Sequence, residues 1–312
     1  MDISLEKKHS DRADAKAGKK PFWKTETFQG YTFMIPTLIG FPLFCVYPLI
    51  YSLYCSFCDW DGYNPPAWAG IKNYKYILTL DPIFKKSLLV TFEYALINVP
   101  IMLILGLALA VLLNKKLPGI KIFRVIYYLP TIVPAVAALI LWQFIFKSDT
   151  GLLNGALRQI GLPTVGWLTD ENAVLVALSI IKWWTVGGMM MIFLSGLQSV
   201  PAELYEACEL DGAGGWAKFR HITIPMITPI LFMQLITGLI GGLQAFTEAS
   251  VITGGGPSYA SHFVNFDIYR TAFGDAKYGR ACAEAWILFI IIMVLTVVVF
   301  RKSETYVYYD NE

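Results

Sequence analysis

The sequence has little charge. Asp, Glu, Lys and Arg make up 15% of its 312 residues against 56% hydrophobic ones, and the formal net charge is only +2. Its Lys and Arg residues are spread around the apolar segments and form no face that would fit a phosphate backbone, so no nucleic-acid role is expected. Histidine is almost absent: His9, His221 and His262 stand too far apart in the chain to gather as a metal cluster. Five cysteines, at positions 45, 55, 58, 208 and 282, show no zinc spacing. They read as small apolar residues without an obligatory disulfide. A Gly-rich phosphate loop ending in Gly-Lys-Ser/Thr is missing too, and with it the usual nucleotide-binding element of an ATPase. A catalytic triad would have to be assembled from scattered serines. No enzyme activity, no catalytic residue, no metal and no cofactor are expected of this chain.

What the chain has instead is long apolar runs. Its mean hydropathy is +0.53, and several stretches reach the roughly 20 residues that cross a bilayer as a helix. These runs predict an all-α polytopic membrane protein with six transmembrane helices. The first covers about Tyr31 to Phe57 and is made irregular by Pro36, Pro42 and Pro48. The others cover about Lys86–Leu113, Lys121–Phe146, Asn172–Leu197, Met226–Ile252 and Ala281–Phe300. Residues 1–28 lack the basic start, apolar core and cleavage site of a signal peptide. They read as a cytoplasmic tail, with Phe22-Trp23 at the interface. Residues 29–303 form the membrane body, and residues 304–312 a second cytoplasmic tail. With the N-terminus inside, the cytoplasmic pieces carry 15 Lys and Arg residues and the external pieces 9. That excess predicts both termini inside.

One polar island interrupts the apolar body: Ser199 to Pro225, SVPAELYEACELDGAGGWAKFRHITIP. Pro201 opens a helical turn and Ala202–Leu210 are good helix formers. Gly212, Gly214 and Gly215 then break the pattern, which resumes at Trp216 and is closed by Pro225. Two short helices with a sharp bend are predicted, on the cytoplasmic side by the charge count. Glu206 stands on the exposed first piece, either to pair across an interface or to solvate its own loop. Gly212 permits the turn, and Asp211 is placed to cap the second piece or to bind an adjacent backbone N–H.

The run Glu206-Ala207-Cys208-Glu209-Leu210-Asp211-Gly212-Ala213, followed by Phe219 and Ile222-Thr223-Ile224-Pro225, resembles the EAA loop of binding-protein-dependent ABC importer permeases. Cys208 replaces the second alanine and Ile224 a leucine. Further similarity to the carbohydrate (maltose/glycerol-phosphate-like) branch runs through Asn73-Tyr74, Gly106–Ala110, Gly151–Asn154, Phe193–Gln198, Thr253–Pro257 and Tyr278-Gly279, covering about residues 28–303. The resemblance implies that Glu206, Ala207, Asp211 and Gly212 form the coupling site for an ATPase. It also implies the partners: a second related permease subunit, two cytosolic ABC ATPase subunits holding ATP and Mg, and an extracytoplasmic solute-binding protein. The place would be a bacterial or archaeal cytoplasmic membrane, in contact with its lipid.

Lys182 is the outstanding intramembrane charge, near mid-depth of the fourth predicted span, where an ionised amine needs water, a ligand or an acidic partner. Trp183 and Trp184 follow it, and aromatic faces bind the C–H surfaces of sugars. Three readings stand for Lys182: solute contact, an internal pair with Glu93 or Glu248, or helix packing. Gln143, Gln234, Gln244 and Asn98 are further path-lining candidates, each equally suited to an interhelical hydrogen bond. Glu284, near the start of the sixth span, reads as an interfacial salt bridge or a contact at the outer gate. The implied function is the permease subunit of an ATP-driven importer of a sugar or oligosaccharide. A polyol phosphate or acidic sugar as cargo, and an ion-coupled secondary transporter, are the alternatives.

Overall fold

Within residues 55–303, Pro82–Leu113 is the helix about which the other elements pack. The computed structural model describes residues 26–303 except residue 116, so residues 1–25 and 304–312 of the two expected tails, with the Phe22-Trp23 interface, lie outside the described residues, while residues 26–28 open a helix. The chain divides into two compact units, Met1–Tyr54 and Cys55–Glu312. In the first, α1 (Glu26–Phe41) passes through a π-helical turn at Pro42–Val46 into α2 (Tyr47–Ser56). That π-helical turn opens on Pro42.

The second unit begins with a two-stranded hairpin, β1 (Cys58–Asp59) and β2 (Ala67–Trp68), paired antiparallel with Cys58 opposite Trp68. Helix α3 (Lys72–Thr79) leads to α4 (Pro82–Leu113), whose first turn is capped by Asp81 accepting from the amides of Ile83 and Phe84. Pro82 sits at the start, where helices tolerate it. Beyond α4 lie α5 (Ile120–Ile132), α6 (Ala135–Ile145), α7 (Leu152–Gln159), α8 (Val174–Trp184) and α9 (Gly187–Ser199). Then come α10 (Ala202–Leu210), α11 (Gly215–Lys218), α12 (Ile224–Leu243), α13 (Val264–Tyr269) and α14 (Tyr278–Ser303).

Four continuous helical stretches are long and apolar enough to cross a membrane: Gly30–Ser56, Pro82–Leu113, Gly215–Leu243 and Tyr278–Lys302. The segments expected as the third and fourth spans are each broken. α5 and α6 meet at 97°, and α8 and α9 at 47°. Taking each bent pair as one span gives six. The α5–α6 break falls at Val133-Pro134, where Pro134 has no amide to donate and holds Val133 extended at ψ 132°. The apolar run hid this bend, because composition reads through a proline that does not interrupt hydropathy.

α4 is mostly apolar and packs against both α12 and α9. Gly238 and Gly242 of α12 lie against Val99 and Ala95, and Met189 and Phe193 of α9 close over Gly106. Small residues at such crossings bring backbones close, which favours helix association where lipid supplies no hydrophobic drive. Around one end of α4, Thr91 accepts from the Val264 amide, and His262 Nε2 lies 3.0 Å from Asp267 Oδ1. Glu284 joins this buried region with no exposure, its Oε1 accepting from Thr271 at 3.3 Å. This corrects the interfacial salt bridge expected for Glu284, which has no ion pair among the described residues. The five cysteines are free.

Candidate functional site: a polar-walled cavity and an exposed helical island

A cavity of about 630 Å³ opens between α4, α5, α6, α8 and α12. Two of its walls are broken helices, since residues on both sides of the α5–α6 bend and of the α8–α9 bend line it. Lys182, Trp184, Gln234, Gln244 and Asn98 all line it. These five candidates from three distant stretches of sequence are thus brought to one place. Trp183 and Gln143 are not among the lining residues. Trp183 Nε1 is buried without a partner, and the Gln143 amide donates to the carbonyls of Val251 and Ile252 at 2.9 and 3.2 Å. Gln143 therefore ties α6 to the segment beyond α12, the interhelical alternative that its residue type allowed.

Asn98 is held from both sides. Its amide nitrogen donates to the Tyr94 carbonyl at 2.9 Å and to Ser179 Oγ at 2.8 Å, joining α4 to α8. Its Oδ1 and the Tyr94 hydroxyl are buried at the cavity wall without hydrogen-bond partners. Tyr94 is 1% exposed, and sequence reading missed it because a tyrosine in an apolar span looks like core. Its spacing of four from Asn98 puts both on one helical face, which was the available signal. Glu248 also lines the cavity, whereas Glu93 does not. No ion pair joins Lys182 to either acid among the described residues. Behind Trp184, Trp142 stands edge-on at 5.9 Å between ring centroids and stacks in turn on Phe146 at 5.1 Å. This fixes the indole that faces the cavity.

The island lies apart from the cavity. α10 carries Glu206 and Ala207 exposed, and among the described residues Glu206 has no ion pair. Glu209 pairs instead with Lys218 of α11. Gly212 turns the chain at φ +74°, in the left-handed region that glycine enters without a Cβ clash. Two expectations change here. Asp211 ends α10, its amide bonded to the Ala207 carbonyl, and Gly214 takes the N-cap position of α11. Nor does Pro225 close the segment: α11 runs through a π-helical turn at Phe219–Thr223 directly into α12. The wider turn lets the Ile224 amide reach the Phe219 carbonyl, and Pro225 continues the helix instead of ending it.

α10 is held to this turn by the Tyr205 hydroxyl, 3.0 Å from Thr223 Oγ1, and by half-buried Cys208 packing with Tyr205 onto the Ile222 and Leu197 cluster. A cysteine serves there as the small apolar residue that alanine would be. Leu210 and Trp216 are left 91% and 73% exposed on the outer side. Large apolar side chains beside an unpaired carboxylate make a surface suited to a protein partner.

Residues 83–303 match the family model described as binding-protein-dependent transport system inner membrane component. A probable ABC transporter permease protein of Bacillus subtilis (strain 168), YesP, is 35% identical over 93% of this chain and 94% of its own. MsmF of Streptococcus mutans, a multiple sugar-binding transport system permease protein, is 32% identical over 89% of this chain and 96% of its own. Among solved structures, a bacterial ABC transporter involved in import of the acidic polysaccharide alginate shares the fold. Its TM-score is 0.81 at 22% identity, covering 90% of this chain and 96% of that one. The chain belongs to the family of binding-protein-dependent transport system inner membrane components.

Proposed function

We propose that this chain is the permease subunit of an ATP-driven importer that moves a sugar or oligosaccharide from an external binding protein to the cytoplasm. The observation that carries the reading is the cavity of about 630 Å³ between broken helices, walled by Asn98, Lys182, Trp184, Gln234 and Gln244. Amides, an indole face and a charged amine are the groups that hold a hydroxyl-rich solute, and the volume lies within the range of small-molecule sites. Its sugar class is supported by the Streptococcus mutans relative, named for a multiple sugar-binding system.

In this reading the two bent pairs each count as one of six spans, and the excess of Lys and Arg keeps both termini inside. The Ser199–Pro225 island then faces the cytoplasm as an EAA-type coupling loop, with Glu206, Ala207, Asp211 and Gly212 forming its contact with an ATPase. Two ATPase subunits bind ATP and Mg; a second related permease subunit completes the membrane core. Nucleotide closure of the ATPases pushes on α10. Because α11 continues without a gap into α12, that push reaches a helix that lines the cavity. The bends at 97° and 47° are the joints where the walls can rearrange.

The test is uptake by proteoliposomes. Vesicles holding the full complex should accumulate labelled oligosaccharide only with ATP on the ATPase side and binding protein on the other. Accumulation by this chain alone, under a proton or sodium gradient, overturns the ATP-driven reading.

A further inference from the structure

Two opposite charges line the cavity, and neither has an ion-pair partner among the described residues. Lys182, in the last turn of α8, is the one cation among the cavity-lining residues; Glu248, beyond the end of α12, is the one acid. They make no ion pair with each other within 4.0 Å. Glu248 is half-buried, whereas Lys182 is exposed to the cavity space. The rest of the wall is apolar side chains, amides and hydroxyls, and none of these neutralises an ammonium.

The two charges have different needs. A carboxylate accepts charge-assisted hydrogen bonds from sugar hydroxyls and is satisfied without a cation. An ammonium can only donate, and sugar hydroxyls leave its charge uncompensated. We infer that the solute is an anionic sugar, whose carboxylate or phosphate is held by Lys182 Nζ while its hydroxyls reach Glu248 and the amides. Trp184, fixed by Trp142, presents its face to the sugar ring between them. This rests on the reading of the cavity as the solute path. The chemistry makes Lys182 the residue that selects cargo by charge, with Glu248 setting its orientation.

The assembled importer, without its binding protein, gives the cavity's own preference by equilibrium dialysis. Three probes are compared: a hexuronate disaccharide, its carboxyl-reduced neutral counterpart, and a phosphorylated disaccharide. At least one anionic probe should bind tenfold or more tighter than the neutral one, and which of them wins separates carboxylate from phosphate cargo. Lys182→Met should abolish that preference and Lys182→Arg should keep it. Equal affinity for all three, or a preference that survives Lys182→Met, overturns the inference. So does uptake restored by the double variant K182E/E248K, because the two charges would then serve each other. A Gln234→Cys variant tells the two failures apart. Equal protection of this cysteine from a thiol reagent by all three sugars leaves the path standing and removes the charge selection; protection by none removes both.

Discussion

Glu206→Ala is expected to lower solute uptake and binding-protein-stimulated ATPase activity at least tenfold, in a complex that still inserts and folds. The carboxylate projects from the middle of α10 with no ion pair of its own among the described residues, so its loss costs this chain almost nothing. Across a buried interface the balance reverses. Removing one member of a buried, hydrogen-bonded charge pair costs about 2–5 kcal/mol, largely because the other charge is left unpaired. Glu209, three residues on, is the internal control. It already pairs with Lys218 and is 68% exposed, and exposed pairs contribute about 0–1 kcal/mol. Glu209→Ala should therefore leave most of the coupled activity. Equal losses for the two variants, measured as ATPase rate and uptake per assembled complex, would place the coupling contact elsewhere on the island.

Gly187→Val should cost folded yield rather than coupling. A Cβ at position 187 would stand 2.0 Å from the Tyr127 carbonyl oxygen and 2.7 Å from Tyr128 Cα, both backbone atoms that no rotamer change can move. α9 would have to draw away from α5 at the point where the α8–α9 bend begins. Overpacking of this kind costs about 1–3 kcal/mol where side chains can yield, and more is expected against backbone. The expected result is a drop of several-fold or more in monodisperse protein extracted from membranes, with a lowered melting temperature in what remains. Gly188→Ala, facing the Thr131 methyl at 3.3 Å, should be milder. If the two variants behave alike, the close crossing at Gly187 does not hold the bend in place.

The contrast between the two sites explains what was legible in the sequence. The island announced itself because it is polar, helical and broken by glycine between apolar runs, and a one-letter pattern carries that much. Gly212 at positive φ and the exposure of Glu206 follow from local chemistry alone. The cavity is different, because it is made by tertiary geometry. Asn98, Lys182 and Gln234 are more than fifty residues from one another in the chain, and only the packing of α4, α8 and α12 joins them. Gln143 shows the limit: its side chain suits a path lining, yet α6 turns it toward the Val251 and Ile252 carbonyls. Tyr94 and Glu284 fail in the other direction. An aromatic in an apolar run passes for core, and a carboxylate near a span's end passes for interface, until burial is known. The bends were hidden for a third reason, since hydropathy averages across Pro134 and Val186 without registering a change of direction.

The measurement that bears most directly on the account is the sidedness of the island. Leu210→Cys, at a position left 91% exposed, is treated with a membrane-impermeant maleimide in inside-out and right-side-out vesicles. Modification at that position is then read by mass spectrometry. Labelling only in inside-out vesicles, and its suppression when the ATPase subunits are bound, is the predicted result. Labelling from the outer face, or labelling indifferent to the ATPases, would contradict it.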